Sequence, residues 1–163
     1  MIRHFKSPDD IADFLRERFD PVADYMGVRH WDRTLRFGSN SDHANQVAPE
    51  FRTIMTVTYS EPYQLIEVKA DVEYMYMENF SRDSIVQFLE HEYIHALLSP
   101  FDTYHEDIKA RYVPEGDQMQ ACNKLFVDRN ERTVAQIQYM IGCLKRHLVP
   151  PEIATSSEIP NNS

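Results

Sequence analysis

Residues 84–98 read SIVQFLEHEYIHALL, and this stretch decides how the rest of the chain is interpreted. Its apolar residues recur at helical spacing, and either Asn79 or Ser81 can cap the start of the helix. Pro100 is expected to end it, because proline removes a helical hydrogen bond. Since apolar side chains cover most of its sides, we expect this helix to lie at the centre of the fold.

Within the helix, His91, Glu92 and His95 form an HExxH motif. The two imidazoles lie four residues apart, so they project from one face about one turn apart and can both reach a single Zn²⁺. Glu92 lies between them and can take a proton from a water at the metal without being a ligand. Two histidines and a glutamate are costly in an apolar helix unless they have a partner. The sequence therefore predicts zinc as cofactor, with His91 and His95 as ligands and Glu92 as catalytic base.

A catalytic zinc site needs a third protein ligand and one open position. We prefer Glu131, an acid that falls on the inward stripe of the last predicted helix together with Val127, Val134, Gln138 and Ile141. Glu115 is an alternative, because it follows His95 at a distance familiar from many zinc peptidases. His105 could serve from a loop, although its charged neighbours suggest that it is exposed to solvent. Asp128 is a further candidate.

The chain before the motif is predicted to form one helix and a small sheet. A capping Ser7 and Pro8 begin the helix, which ends near Gly27. The other predicted elements are a strand over residues 31–37, a polar loop over 38–50, a strand over 51–59, a turn at 60–62 and a strand over 66–74. Because the last strand alternates apolar with charged residues, we expect an antiparallel hairpin at the edge or surface of the sheet.

The chain after the motif is predicted to be mostly helical. Residues 101–116 are expected to be loop-like, with a helix over 114–126 and a last helix over 128–147. The composition of residues 150–163 is typical of a disordered tail. Residues 1–149 are thus predicted to form a single α+β domain.

Composition limits the classes of function. The 163 residues carry a formal charge of −9 and the pI is near 5.2, which disfavours partners rich in phosphate, so neither nucleic acid nor a membrane surface is expected to be a partner. The N-terminus has no apolar segment of the kind found in signal peptides, so a cytoplasmic location is expected. Cys122 and Cys143 form no CxxC arrangement and are interpreted as small buried hydrophobes.

Residues 91–98 (HEYIHALL) followed by residues 130–134 (NERTV) resemble the small, single-domain zincins of the gluzincin type, found in phages and mobile elements. The resemblance implies a zincin-like fold in which a small antiparallel or mixed sheet packs against the HExxH helix, and in which Glu131 on the next helix completes the zinc site. It also implies that a peptide would bind in extended form beside an edge strand formed between residues 51 and 74. Zincins often add an oxyanion-stabilising Tyr or His, and Tyr104, Tyr112 and Tyr139 are open candidates.

Three functions remain open at this point. The first is a zinc metallopeptidase that hydrolyses peptide bonds in a protein or peptide substrate. The second is a zinc-binding protein of the same fold without turnover, which acts by binding another protein as a viral or mobile-element antagonist. The third is a metal-free fold in which His91 and His95 are packing groups, and chelation of metal would then leave the melting temperature unchanged.

Overall fold

The computed structural model of the protein describes residues 3–39, 54–60 and 64–148. Its elements are α1 (Pro8–Met26), β1 (Asp32–Phe37), β2 (Met55–Ser60), β3 (Leu65–Ala70), α2 (Val72–Met77), α3 (Arg82–Tyr112) and α4 (Asp117–Leu148). The predicted α+β class is therefore confirmed. Most of the predicted polar loop, the start of the 51–59 strand, most of the predicted turn and the predicted tail fall outside the described residues.

The three strands form one mixed sheet in the order β1-β3-β2. β1 runs parallel to β3, and β2 runs antiparallel to it with Val57 opposite Val68. The predicted antiparallel pairing of β2 with β3 is confirmed. The hairpin was expected at the edge or surface of the sheet; among the described strands β2 is at an edge, whereas β3 lies between the other two strands. The alternation of that strand is real, because Ile66, Val68 and Ala70 are buried while the side chains between them are half-buried.

β3 ends at Ala70, so the strand predicted to continue to residue 74 is wrong over its last residues. Asp71 instead caps α2, because its side chain accepts a hydrogen bond from the Tyr74 backbone N–H at 3.0 Å. Val72 and Tyr74 continued the alternating pattern in the sequence, yet both lie in the helix. A capping carboxylate has overridden a strand-like sequence pattern here.

α1 begins and ends as predicted. The Ser7 side chain accepts from the Asp10 backbone N–H, and Gly27 closes the helix in the left-handed conformation with φ of 82°. The buried side chains of α1 pack with β3 and with α3 in one apolar core, which includes Leu15, Ile66 and Tyr93. The first half of α3 is therefore central, as predicted.

α3 does not end at Pro100 but continues to Tyr112, so the predicted loop over 101–116 is wrong up to that residue. An interior proline costs a helix about 3 kcal/mol, and contacts after the proline offset this cost. The Asp102 side chain accepts hydrogen bonds from β2 and α4, and the His105 ring stacks on Phe126 with 3.8 Å between ring centroids.

α4 is one helix from Asp117 to Leu148, where two were predicted. Its inward stripe is shorter than expected: Val134 is fully buried and Ile137 and Ile141 pack against the core, but Val127 and Leu144 are more than half exposed. Among the described helices, no segment is both long enough and apolar enough to cross a membrane.

Candidate metal centre

His91 and His95 lie on the face of α3 that β2 and α4 cover. Successive turns of one helix bring the two rings together, with their Nε2 atoms 3.1 Å apart and their centroids 4.8 Å apart. The side chains are 28% and 15% exposed, so both nitrogens face a partly enclosed space instead of open solvent. The local helix thus presents two imidazole nitrogens at one point.

Glu131 on α4 brings a carboxylate to the same point. Its Oε2 lies 3.5 Å from His91 Nε2 and its Oε1 lies 3.3 Å from His95 Nε2. In a tetrahedral zinc site with ligand bonds of about 2.0–2.1 Å, neighbouring donor atoms are about 3.3–3.4 Å apart. With one donor atom from each residue, the two imidazole nitrogens and one carboxylate oxygen lie within 4.8 Å of one another. Two imidazoles and a carboxylate could fill three corners of such a site and leave the fourth open.

The alternative third ligands do not join this cluster. Within the described chain, the group of metal-competent side chains is His91, His95 and Glu131. Glu115 is exposed between α3 and α4, and Asp128 is exposed on α4. His105 stacks on Phe126, and its Nε2 is buried with no hydrogen-bond partner in the part of the chain that the structure describes, which differs from the exposed position expected for it.

Glu92 lies beside the cluster in the same pocket. Burial raises the pKa of its carboxyl to about 7, and the neighbouring His91, His95 and a hydrogen bond from the Val57 backbone N–H limit that rise. Glu92 therefore reaches the pocket from α3 and is also held by β2. This is the position expected of a general base that is not a ligand.

The three side chains of the cluster also interact electrostatically with one another. Hydrogen bonds from His91 and His95 hold the pKa of Glu131 well below its usual range. The same contact with Glu131 raises the pKa of His91, although burial opposes the shift. A carboxylate that stays ionised is the form that binds a divalent cation.

The pocket around the cluster has a volume of about 850 Å³ and is walled by β2, α3 and α4. Tyr59, at the end of β2, donates a hydrogen bond to Asp102 of α3, and Asn130 Nδ2 donates to the other oxygen of Asp102 at 3.0 Å. Asn130 immediately precedes Glu131, so this contact fixes the turn of α4 that carries the carboxylate. Sequence reasoning missed Tyr59 and Asp102, whose roles depend on how β2 packs on α3.

The three tyrosines considered from the sequence do not line this pocket. Tyr104, Tyr112 and Tyr139 are each at least 65% exposed. Among the described residues, Tyr59 is the tyrosine that lines it.

Comparison of the chain with protein-family models, with curated proteins and with solved structures finds no match. The likeness to zincins therefore rests on the motif residues alone. The structure brings His91, His95 and Glu131 together, and their role as metal ligands stays a prediction.

Proposed function

We propose that this protein is a zinc-dependent peptidase of the zincin type. One observation carries the proposal: the Nε2 atoms of His91 and His95 lie 3.1 Å apart and each lies within 3.5 Å of one of the two carboxylate oxygens of Glu131, next to the half-buried Glu92. Two imidazoles and a carboxylate, with an open fourth position, are the donor set of catalytic zinc sites. Structural zinc sites instead have four protein ligands.

Each side chain has a defined task in this proposal. His91, His95 and Glu131 hold the metal, and a zinc ion bound there would supply Lewis-acid polarisation of a peptide carbonyl. The Glu92 carboxylate accepts the proton of the water that attacks the carbonyl carbon. Glu92 then donates this proton to the nitrogen that leaves as the carbon–nitrogen bond breaks. The Val57 backbone N–H keeps the Glu92 carboxyl in place during both transfers.

The position of β2 supports a peptide as substrate. Among the described strands, β2 has a neighbour on one side only, and several of its residues, including Met55, Thr56 and Val57, line the pocket. An extended peptide can add to such an edge through main-chain hydrogen bonds. Its scissile bond would then lie near His91 and His95, which line the same pocket.

Metal content is the first test. Purified wild-type protein should contain one zinc ion per chain by elemental analysis, and His91→Ala and Glu131→Ala should each reduce this content strongly. Glu115→Gln and His105→Ala are matched controls, because these side chains lie outside the cluster, and both should keep the ion. Zinc content that is substoichiometric in reconstituted wild type, or unchanged in His91→Ala, would contradict the proposal.

Turnover is the second test. Glu92→Gln should retain zinc and lose cleavage of an unfolded protein substrate by about two orders of magnitude or more, while Glu115→Gln should cleave like wild type. Chelation should lower the melting temperature of wild type by several degrees, because the metal binds the folded state alone. Zinc-loaded wild type that cleaves no substrate would identify a binding protein without turnover.

A further inference from the structure

The second half of α3 carries a row of exposed apolar side chains. Leu97, Phe101, Tyr104, Ile108 and Tyr112 are between 38% and 76% exposed, and three of them are aromatic. Monomeric proteins rarely expose a contiguous apolar patch of this kind without a use for it. We call these five residues the outer stripe.

The outer stripe has the geometry of a helix-packing seam. Its members are spaced by four, three, four and four residues, so at 100° per residue they fall within an arc of about 80°. The mean spacing of about 3.75 residues is close to the 3.6 residues of one helical turn, so the stripe runs along one side of the helix, where another helix can pack. None of the five side chains is charged.

The outer stripe also lies away from the metal centre. His95 is about 140° around the helix from the middle of the stripe. At 100° per residue, Asp102 and His105 lie about 120° and about 60° from the middle of the stripe, and they contact β2 and α4. A partner on the outer stripe would therefore leave the pocket open.

The order of side chains along the stripe points to a second copy of the same chain as the partner. A two-fold axis through the midpoint between residues 104 and 105 places Leu97 opposite the second copy's Tyr112. The same axis places Phe101 opposite the second copy's Ile108. Each small aliphatic residue thus meets a larger aromatic one, and the surface is complementary to itself, as a two-fold interface requires.

The available area is sufficient for such an interface. From their exposed fractions, the five side chains offer about 500 Å² per copy, or about 1,000 Å² in a pair. Complete burial of these side chains would reach the area of about 1,000 Å² that a specific interface needs, and flanking side chains would add to it. We propose that the protein forms a two-fold symmetric dimer in which the outer stripes of two α3 helices pack antiparallel.

Sedimentation equilibrium of the full chain tests the dimer. Wild type should approach twice the monomer mass of 19.2 kDa as concentration rises. Phe101→Ser and Ile108→Ser should each weaken dimerisation by about 30-fold or more, because they remove central apolar contacts. Tyr139→Ser is the matched control, since Tyr139 is 69% exposed on α4 but lies outside the stripe, and it should dimerise like wild type.

A pair of charge substitutions tests the register. Phe101→Lys and Ile108→Glu should each give monomers, whereas the double variant should regain the dimer at low salt because the two new charges face each other across the interface. Circular dichroism should show equal helicity in all variants. A wild type that stays monomeric, a dimer unaffected by Phe101→Ser, or a double variant that stays monomeric would overturn the proposal. Zinc content should be the same in every variant, which separates this result from the fate of the proposed function.

Discussion

The side chain of Gln138 on α4 joins the backbone of α3 at Gln87, where its Nε2 donates to the carbonyl oxygen over 2.6 Å. Gln87 lies one helical turn before His91, and Gln138 also hydrogen-bonds the His91 ring. One amide group therefore connects the two helices and orients an imidazole of the candidate metal centre. Groups that hold a ligating histidine in this way tune the affinity for the metal.

Gln138→Ala should weaken zinc binding by about 10-fold to 100-fold, because the His91 ring loses its orienting partner. The affinity can be measured by competition with a chromogenic chelator. Gln136→Ala is a matched control, since Gln136 is exposed on the same helix, and it should bind zinc like wild type. Equal affinities in both variants would show that Gln138 does not position His91.

Asp102 connects three elements, because it accepts hydrogen bonds from Tyr59 of β2 and Asn130 of α4. Asp102→Ala should lower the free energy of unfolding by about 1–3 kcal/mol, since two polar groups lose their partner. It should also weaken zinc binding, because the turn that carries Glu131 is no longer fixed. Urea unfolding and metal competition measure the two effects. Asp128→Ala, at an exposed position on α4, should change neither quantity.

Glu90 is a buried acid, with a side chain only 5% exposed, that pairs with Lys145 of α4 and accepts a hydrogen bond from Tyr25 of α1. Lys145→Met should lower the free energy of unfolding by about 1–3 kcal/mol, because it leaves a buried carboxylate without its cation. The low end of this range is expected, since the Lys145 side chain is itself 46% exposed and water can take the place of its ammonium group beside Glu90. Lys124→Met, at an exposed site, should have no effect in urea titrations.

The raised pKa values of two tyrosines predict a loss of stability at alkaline pH. Burial, and then the contact with Glu90, raises the pKa of Tyr25 well above its usual value, and burial does the same for Tyr93 although Arg33 opposes it. The unfolded chain therefore releases these protons near pH 10 while the folded chain keeps them. Since the folded state then binds more protons, the free energy of unfolding should fall as pH rises past about 10.

Urea titrations at pH 8 and above pH 10 measure this fall. Tyr93→Phe should reduce it, although the variant is less stable at neutral pH because the Phe19 carbonyl oxygen loses the hydrogen bond from the Tyr93 hydroxyl. An equal fall in wild type and Tyr93→Phe would show that this tyrosine does not contribute.

The start of the fold could be predicted because its signals are local. Ser7 and Gly27 bound α1 through contacts with residues a few positions away, and the alternation over residues 66–70 marks a strand by itself. The convergence of Glu131 with the two histidines could be anticipated for a similar reason, since its position on an inward stripe limits where it can point. Its ligand role is still to be measured.

The predictions from sequence are wrong where contacts between residues far apart in the sequence determine the structure. Pro100 is a helix breaker by local rules, but Asp102 is held by Tyr59, which lies far away in the sequence, and the helix continues. Nothing near residue 59 indicates that this tyrosine reaches the pocket. The extension of α3 past Pro100 also creates the outer stripe. This surface could not be predicted while residues 101–116 were expected to be loop-like.

The strand order has a kinetic consequence. β2 and β3 pair across a short connection, with Ser60 opposite Leu65, whereas β1 is separated from β3 in the sequence by β2 and its flanking residues, so that their pairing closes a longer stretch of chain. We expect the rate-limiting step of folding to contain the first pairing and not the second. Val57 and Leu35 both face Val68, so Val57→Ala should slow folding while Leu35→Ala should mainly speed unfolding. β2, the edge strand beside the two histidines, would then pair with β3 before β1 pairs at the other edge of the sheet.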